Sequence, residues 1–193
     1  MTEHPVQKLD DLAQSLNARP DGPRARPPID QWHPELTGDL DLVIRRDGQW
    51  LYEGKPIARE ATVRLFSSIL RREDDGEFYL VTPVEKWRIR VEDTPLLAHS
   101  LTVIGAGEQR VLQLTTNVGE TLDVSEAHPL SVGHYPSSHE PRPVIHVAHG
   151  VNARLVTAAF YELADLAEER QLDGETVFGV MSHGKFWKIG QGG

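Results

Sequence analysis

The sequence predicts an α+β fold with antiparallel sheets, built around an internal duplication. Two segments, 59–89 and 152–189, resemble each other: each has an amphipathic stretch, an Asp-Gly-Glu step, an apolar run and a Trp–basic–Ile ending. Apolar residues recur at helical spacing early in both segments, and strand patterns outnumber helical ones along the chain. We therefore expect internally duplicated strand–helix–strand units, and the seam between them is the natural position for a ligand.

The first 34 residues differ in composition from the rest of the chain. Residues 6–16 place their apolar side chains on one helical stripe, which predicts a short amphipathic helix. Residues 17–34 hold five of the 13 prolines and three arginines. Because proline fixes φ and removes an amide donor, this stretch is predicted to be a linker. A basic arm that clamps an anionic partner is the alternative.

Local patterns then predict the remaining elements. Residues 40–52 alternate around Asp47-Gly48, and this dipeptide predicts a hairpin because it tolerates positive φ. Helices are predicted over 59–72 and 152–170, with Asn152 as the N-cap of the second. Predicted strands cover 78–82, 87–92, 96–104, 110–116, 120–124, 144–148, 177–181 and 186–189.

These patterns predict a division into three parts. They are an N-terminal helix with a Pro/Arg-rich arm (1–34), an N-terminal α+β repeat (35–95) and a C-terminal α+β repeat with a meander (96–193). With 193 residues and 21.6 kDa, the chain is long enough for one ordinary domain or two small ones.

Composition excludes several classes of protein. The chain has no cysteine, so disulfides, thiol nucleophiles and thiolate metal sites are absent. No apolar run approaches the roughly 18 residues of a membrane helix, and there is no signal peptide pattern. The net charge of −9 argues against broad nucleic-acid binding, although local basic patches remain open. We expect a soluble cytoplasmic protein without a membrane partner.

Two glycine motifs do not meet the requirements of nucleotide-binding loops. Residues 179–185 satisfy G-x-x-x-x-G-K, but Phe186 follows where a phosphate loop needs Ser or Thr, and no helix is predicted. Gly184 is therefore predicted to lie in a turn between strands. Gly105-Ala106-Gly107 lacks the third glycine and the helix of a dinucleotide fingerprint.

No catalytic or metal-binding pattern emerges. The nine histidines include no H-E-x-x-H and no i, i+4 pair, so we expect neither stoichiometric zinc nor iron and no cofactor. Ser182 does not stand in a G-x-S-x-G elbow. The carboxylate pairs lie at predicted element ends, where charges are normally solvated. We predict no catalytic residue, and an enzyme is the less favoured class but stays open.

The candidate ligand-binding residues follow from the duplication. Arg59 and Arg154 are predicted at the two helix starts, where exposed N–H groups and an arginine can complete an anion site. Lys86 belongs to the turn before Trp87, and Tyr161 and Ser182 are weaker candidates for the wall of the same site. Salt bridges or simple exposure of these side chains are the alternatives.

Several segments together resemble the bacterial domain-of-unknown-function family 1285, over roughly residues 32–190. They are Asp47-Gly48-x-Trp50, Gly54-Lys55-Pro56-Ile57-x-Arg59, Thr82-Pro83-Val84-Glu85-Lys86, Val91-Glu92-Asp93-x-Pro95 and Ser182-His183-Gly184-Lys185-Phe186. Leu96 stands where most members have an aromatic residue. The resemblance implies an internally duplicated α+β core, a C-terminal unit superficially like a pleckstrin-homology barrel, a nucleotide-like ligand between the halves and a signalling role. It implies no catalytic residues.

Three functional hypotheses remain open. The first is a ligand-binding or signalling module with an anionic, nucleotide-like small molecule between its repeats. The second is a protein–protein adaptor that uses a sheet edge or the N-terminal arm. The third is an enzyme whose site is assembled from polar residues distant in sequence. A polar pocket favours the first, an exposed apolar patch the second, and a buried group with a strongly shifted pKa the third.

Overall fold

A computed structural model describes residues 9–14 and 26–192. The chain forms two compact units; the first ends at Asp93 and the second begins at Thr94. The predicted division into three parts, at 1–34, 35–95 and 96–193, is more detailed than this division into two units and stays a prediction. Residues 9–14 are helical, which agrees with the helix predicted over 6–16; its outer residues lie outside the described part of the chain.

The predicted α+β class is wrong, because the protein consists mainly of β-sheet. Within the described residues, 48% lie in strands and 17% in helices, and the strands form three sheets. The helices do not alternate with strands as strand–helix–strand units. The predicted resemblance of the C-terminal unit to a pleckstrin-homology barrel belongs to that predicted fold class and is wrong with it.

Besides the helical residues 9–14, the first unit contains one six-stranded sheet and one further α-helix. After a 3-10 turn at Ile29–Gln31, its elements are β1 (Leu36–Ile44), β2 (Trp50–Tyr52), β3 (Lys55–Pro56), α1 (Glu60–Ser68), β4 (Leu70–Arg72), β5 (Phe78–Val81) and β6 (Lys86–Val91). The strand order is β3-β2-β1-β6-β5-β4, in which only the central pair β1–β6 is parallel.

The predicted hairpin at Asp47-Gly48 is confirmed between β1 and β2, with Ile44 opposite Trp50. Gly48 has φ 87°, and the Asp47 carboxylate accepts the amide of Gln49 at 3.0 Å, so both residues fit the turn. The inward residues of these strands include Leu42, Ile44 and Trp50, all nearly or fully buried.

The helix predicted over 59–72 ends earlier than expected. α1 stops at Ser68, and Leu70–Arg72 pairs antiparallel with β5 instead. Gly76, with φ 83°, lies in the turn that lets the chain reverse between these strands. The strand pairing therefore overrides a helical pattern that continues for another turn in the sequence.

The second unit holds a six-stranded and a three-stranded sheet. Its elements are β7 (Leu96–Ile104), a 3-10 turn (Gly107–Gln109), β8 (Val111–Thr116), β9 (Thr121–Asp123), β10 (Leu130–His134), β11 (Pro141–Ala148), β12 (Val151–Leu155), α2 (Thr157–Ala164), β13 (Glu168–Leu172), β14 (Glu175–Ser182) and β15 (Lys185–Gln191). The sheet orders are β10-β11-β12-β7-β8-β9 and β13-β14-β15.

The helix predicted over 152–170 is largely wrong. Val151–Leu155 is a strand whose buried side chains alternate, α2 covers only Thr157–Ala164, and Glu168–Leu172 is again a strand. Val156, not Asn152, is the N-cap residue. The apolar residues of this segment fit the two-residue period of a strand as well as the 3.6-residue period of a helix. Hydrogen bonding to β11 and β7 makes the segment a strand.

The prediction that strand–helix–strand units are duplicated is also wrong. The chain contains two different repeats, one in sequence and one in strand order, and they pair different elements. The two segments similar in sequence each fold as a helix followed by three antiparallel strands: α1–β4–β5–β6 and α2–β13–β14–β15. Trp87 lies opposite Leu80 and Trp187 opposite Val180 in these meanders. By strand order, however, β1–β6 corresponds to β7–β12, and β13–β15 is an additional sheet.

The two sheets of the second unit are linked through Ser182. Its hydroxyl oxygen accepts the amide of Leu112 at 3.0 Å, and its carbonyl accepts the indole N–H of Trp187 at 3.2 Å. Gly184 lies in the two-residue turn between β14 and β15, with φ 69°, as predicted. No helix of the described residues is long and apolar enough to cross a membrane.

Candidate functional site

A cavity of about 470 Å³ lies in the first unit, beside the edge strand β4. Two of its walls are the segment around the 3-10 turn and the turn between β4 and β5. The residues that line it are Asp30, His33, Arg71, Arg72, Glu73, Asp74 and Asp75. It is an open, charged depression rather than an enclosed pocket, and because it brings seven ionisable side chains together it is the candidate site of this unit.

Strand pairing brings charged side chains together beside this cavity. Leu70 and Leu80 are opposite each other and fully buried, so Arg71 and Tyr79, one residue along, lie on the other face of the sheet. Lys86 starts β6 on that same polar face, two residues before Arg88, which is opposite Tyr79.

Arg71 joins the sheet to the N-terminal segment of the unit. Its Nη1 donates to the carbonyl oxygens of Ile29 at 2.8 Å and Trp32 at 2.9 Å. Its Nη2 donates to Glu73 Oε1 at 2.6 Å, and its Nε is buried without a hydrogen-bond partner among the described residues. The planar guanidinium fork suits such a bridge between backbone and carboxylate.

Glu73 lies between two cations. Lys86 Nζ donates to its two carboxylate oxygens at 3.1 and 3.3 Å, opposite the bond from Arg71. The side chains of Arg71, Lys86 and Glu73 are only 13%, 17% and 26% exposed. Burial raises the pKa of Glu73, but the hydrogen bonds from Arg71 and Lys86 outweigh it, so this pKa lies below its ordinary value.

A second short bond continues the network. The Tyr79 hydroxyl donates to Asp75 Oδ2 at 2.6 Å, and the Lys86 ammonium lies 4.8 Å from the centre of the Tyr79 ring. The bond to Asp75, together with burial, raises the pKa of Tyr79 to about 12. The same bond and the amide of Glu77 lower the pKa of Asp75. We call Arg71, Glu73, Asp75, Tyr79 and Lys86 the Arg71 cluster.

The lining of the cavity consists entirely of side chains that are charged or carry an imidazole. Four of the seven lining residues carry carboxylates, two carry guanidinium groups and one an imidazole. No serine, threonine, cysteine or lysine is among them, so nucleophiles of those types are missing from the cavity. Within the described residues, no group of three or more His, Asp or Glu could hold a metal ion.

The predicted site residues are distributed over both units. Arg59, the exposed N-cap residue of α1, and Lys86, within the Arg71 cluster, belong to the first unit. Arg154 lies half-buried in β12 rather than at a helix start, Tyr161 is 65% exposed on α2, and Ser182 is fully buried. Only Lys86 lies beside the cavity of the first unit, and the shared anion site stays a prediction.

Four residues of the Arg71 cluster were not predicted: Arg71, Glu73, Asp75 and Tyr79. Their spacing of two residues, Arg71-x-Glu73-x-Asp75, would have indicated one side of an extended chain. The helical pattern of residues 59–72 concealed that signal. The bond between Lys86 and Glu73 joins residues 13 apart in sequence and cannot be read from local spacing.

A second polar group lies in the second unit. His183 Nε2 is 3.2 Å from Asp123 Oδ2, and Asp123 also accepts a bond from Gln113 Nε2 at 2.8 Å. The bond from Gln113 lowers the pKa of Asp123, and the contact with His183 adds to this effect. Lys185 pairs with Glu126 at 3.2 Å nearby in sequence. Both contacts are well exposed, which is typical of solvated polar groups at a protein surface.

Comparison with known proteins identifies the family of the chain. Residues 27–94 match the N-terminal domain of DUF1285, a domain of unknown function, and residues 95–189 match the C-terminal domain of a DUF1285 protein of unknown function. A comparison with curated proteins finds no match.

Two solved structures are similar to this one. The crystal structure of a DUF1285 family protein from Silicibacter pomeroyi DSS-3 is 42% identical, covers 93% of this chain and 94% of its own, and has a TM-score of 0.81. That of a DUF1285 family protein from Shewanella baltica OS155 is 26% identical, covers 65% of this chain and 91% of its own, and has a TM-score of 0.52. As the sequence motifs predicted, this chain belongs to the DUF1285 family.

Proposed function

We propose that this protein is a ligand-binding module whose binding site is the cavity beside the Arg71 cluster. The observation that supports it is the position of three largely buried charged side chains, Arg71, Glu73 and Lys86, against a cavity of about 470 Å³. Charged side chains are rarely withdrawn from water, and their clustering beside a cleft is typical of functional sites.

The lining favours a small polar ligand that carries a cationic group. Carboxylates outnumber guanidinium groups by four to two, and Glu73 and Asp75 are already engaged within the cluster. Asp74 is exposed, and Arg72 donates from its Nε to the carbonyl of Gly76 while its guanidinium lies 5.7 Å from the centre of the Phe78 ring. A ligand with an ammonium group, alone or with an acidic group for Arg72, complements this charge pattern.

The anionic, nucleotide-like ligand expected from the sequence is a separate proposal with its own residues. It depends on Arg59, Lys86 and Arg154. Because Arg154 is half-buried in β12, its reversal to Glu would also destabilise the fold, so reversal of the exposed Arg59 to Glu is the variant that should abolish a thermal shift by nucleotides while barely changing the melting temperature without ligand. The signalling role and the cytoplasmic location expected from the sequence belong to the same proposal. Cell fractionation of the tagged chain tests the location.

A thermal-shift screen tests the cavity directly. The panel contains amino acids, polyamines, nucleotides and sugar phosphates, so that both ligand charges are represented. A ligand at a hundredfold its Kd adds about 2.7 kcal/mol to the folded state. We expect compounds with an ammonium group to raise the melting temperature by several degrees.

A matched pair of variants locates the binding. His33 lines the cavity and His134 lies on β10 of the second unit; both are exposed. His33→Trp should narrow the cavity and weaken the shift, whereas His134→Trp should retain the shift in full. An equal shift in both variants, or a panel in which no compound stabilises the protein, contradicts the proposal.

A second candidate function, a protein–protein adaptor, is favoured by one hairpin. Val103 and Ile104, consecutive residues at the end of β7, are 44% and 47% exposed, and their side chains offer apolar surface on the two opposite faces of the strand. Val103→Glu with Ile104→Glu should then abolish cross-linking to a partner while ligand-induced thermal shifts persist. Unchanged cross-linking in this double variant removes the adaptor hypothesis.

A further inference from the structure

The cavity of the first unit has one wall that is separate from the sheet. Residues 27–33, which we call the strap, contribute Asp30 and His33 to the lining, and residues 71–75 contribute the rest. The strap precedes β1 and contains only a single 3-10 turn. The cavity is therefore complete only while the strap lies against β4.

The contacts that hold the strap in this position include one buried side chain and one set of hydrogen bonds. The Ile29 side chain is fully buried in the first unit. Arg71 donates from one nitrogen, Nη1, to the backbone carbonyls of Ile29 and Trp32, which flank the 3-10 turn. Since these bonds go to backbone atoms, they fix the path of the strap rather than one side chain.

The same guanidinium is bound to the wall of the cavity. Arg71 Nη2 donates to Glu73, which lines the cavity and is shared with Lys86. A ligand group that draws Glu73 into the cavity therefore changes the partner that orients Arg71. Because one planar guanidinium holds both the strap and the lining, its two sets of bonds are coupled.

We infer that the strap is a closing element of the cavity, latched by Arg71, which opens and closes while the six-stranded sheet stays folded. The strap adds no strand to the sheet, and segments of this kind open locally at a lower free energy than the whole unit. The role of the cavity rests on the proposed function. The movement of the strap is measured without ligand, so either idea can fail without the other.

Thiol labelling tests the opening, because the chain contains no cysteine. Ile29→Cys places a thiol under the strap, and Ile44→Cys places one in β1; both parent side chains are 0% exposed in the same unit. Under native conditions, the thiol of Ile29→Cys should react with a maleimide at least about tenfold faster than that of Ile44→Cys. Equal rates would show that the strap opens only on global unfolding and would overturn the inference.

Arg71→Lys tests the latch, since lysine keeps the charge but cannot form the bridge between two carbonyls and a carboxylate. Combined with Ile29→Cys, it should raise the labelling rate about tenfold or more, as expected for losing charged hydrogen bonds. Combined with Ile44→Cys, it should accelerate labelling by no more than it does with Ile29→Cys, because global unfolding breaks the same bonds of Arg71.

Arg72→Lys is the matched control. Arg72 neighbours Arg71 in β4 but donates to Gly76 in the turn, so it should leave labelling of Ile29→Cys unchanged. Labelling of Ile29→Cys that is not accelerated by Arg71→Lys, or an equal effect of Arg71→Lys and Arg72→Lys, would remove Arg71 from the role of latch.

Discussion

At the scale of single residues, the three-stranded sheet of the second unit depends on a position without a side chain. A Cβ on Gly179 would overlap the ring of Phe186 and lie 2.5 Å from the carbonyl oxygen of Trp187. Phe186 is itself stacked 4.5 Å from the guanidinium of Arg170. The aromatic ring thus occupies the space above the glycine, and the adjacent carbonyl cannot move aside without disturbing the strand pair.

Gly179→Ala should therefore lower the free energy of unfolding by about 1–3 kcal/mol through overpacking. Gly190→Ala is the control, because Gly190 lies in the partner strand and a methyl group there would meet no atom of the described chain within 4 Å. Thermal unfolding of both variants compares them. Equal melting temperatures would show that the strand adjusts to the extra methyl group.

Ser182→Ala should be destabilising for a different reason. It leaves the buried amide of Leu112 without its acceptor, which typically costs about 1–3 kcal/mol. Ser131→Ala, at an exposed position in β10, should change stability by less than about 0.5 kcal/mol. Chemical denaturation measures both. A loss confined to Ser131→Ala, or no loss in either variant, contradicts the linking role of Ser182.

Residue-level prediction from the sequence reached one member of the Arg71 cluster and missed four. Lys86 was identified because it precedes the repeated Trp–basic–Ile ending, which is a local signal. Arg71 and Tyr79 become neighbours only through the pairing of β4 with β5. Ser182 looked available because it is polar, but its hydroxyl is consumed by a contact between two sheets, 70 residues apart in sequence.

At the scale of elements, turns were predictable and strand partners were not. The Asp47-Gly48 hairpin and the turn at Gly184 follow from backbone preferences of two residues each. The parallel pair β1–β6 and the identity of Val151–Leu155 as a strand depend on partners elsewhere in the chain. Burial alternates along Val151–Leu155, yet the following α2 extended the apparent helical period over it.

The β4–β5 hairpin should lose stability at alkaline pH through Tyr79. Its pKa of about 12 lies above the ordinary value of about 10, because the neutral hydroxyl is bound to Asp75. The stabilisation is complete below the unfolded pKa and is lost as pH rises through the folded one. Denaturation at increasing pH should show the wild-type chain losing its advantage over Tyr79→Phe between about pH 10 and 12.

Tyr161→Phe serves as the reference for this titration. Tyr161 is 65% exposed on α2, so its replacement should leave the dependence of stability on pH unchanged. A constant difference between the wild-type chain and Tyr79→Phe across the alkaline range would show that the bond to Asp75 does not control the stability of the hairpin.

At the scale of the whole molecule, each unit has its own six-stranded sheet with the same strand order. In both, the first and last strands of the sheet form the central parallel pair: β1 with β6, and β7 with β12. Each unit also has its own buried apolar residues. The similarity between segments 59–89 and 152–189 correctly indicated a repeat. It aligned β4–β6 with the additional sheet β13–β15, however, because local sequence similarity is strongest there.

Fragments test this organisation. Residues 1–93 should fold alone and unfold cooperatively, since they contain a complete sheet. Residues 1–85 should not, because the cut removes β6 from between β1 and β5. Circular dichroism during thermal unfolding distinguishes the two fragments. A cooperative transition in residues 1–85, or none in residues 1–93, contradicts the central role of β6.

The central position of β6 also matters while the protein is being made. Asp39 of β1 meets Arg88 of β6 across 49 residues of sequence. At about 5–20 residues per second, a ribosome needs on the order of 2–10 s to synthesise that interval. Throughout it, one edge of nascent β1 has exposed N–H and C=O groups that can pair with another chain. The same delay between the synthesis of a strand and that of its partner occurs for β7 and β12. The speed of translation across these two intervals should therefore govern how much newly made protein aggregates.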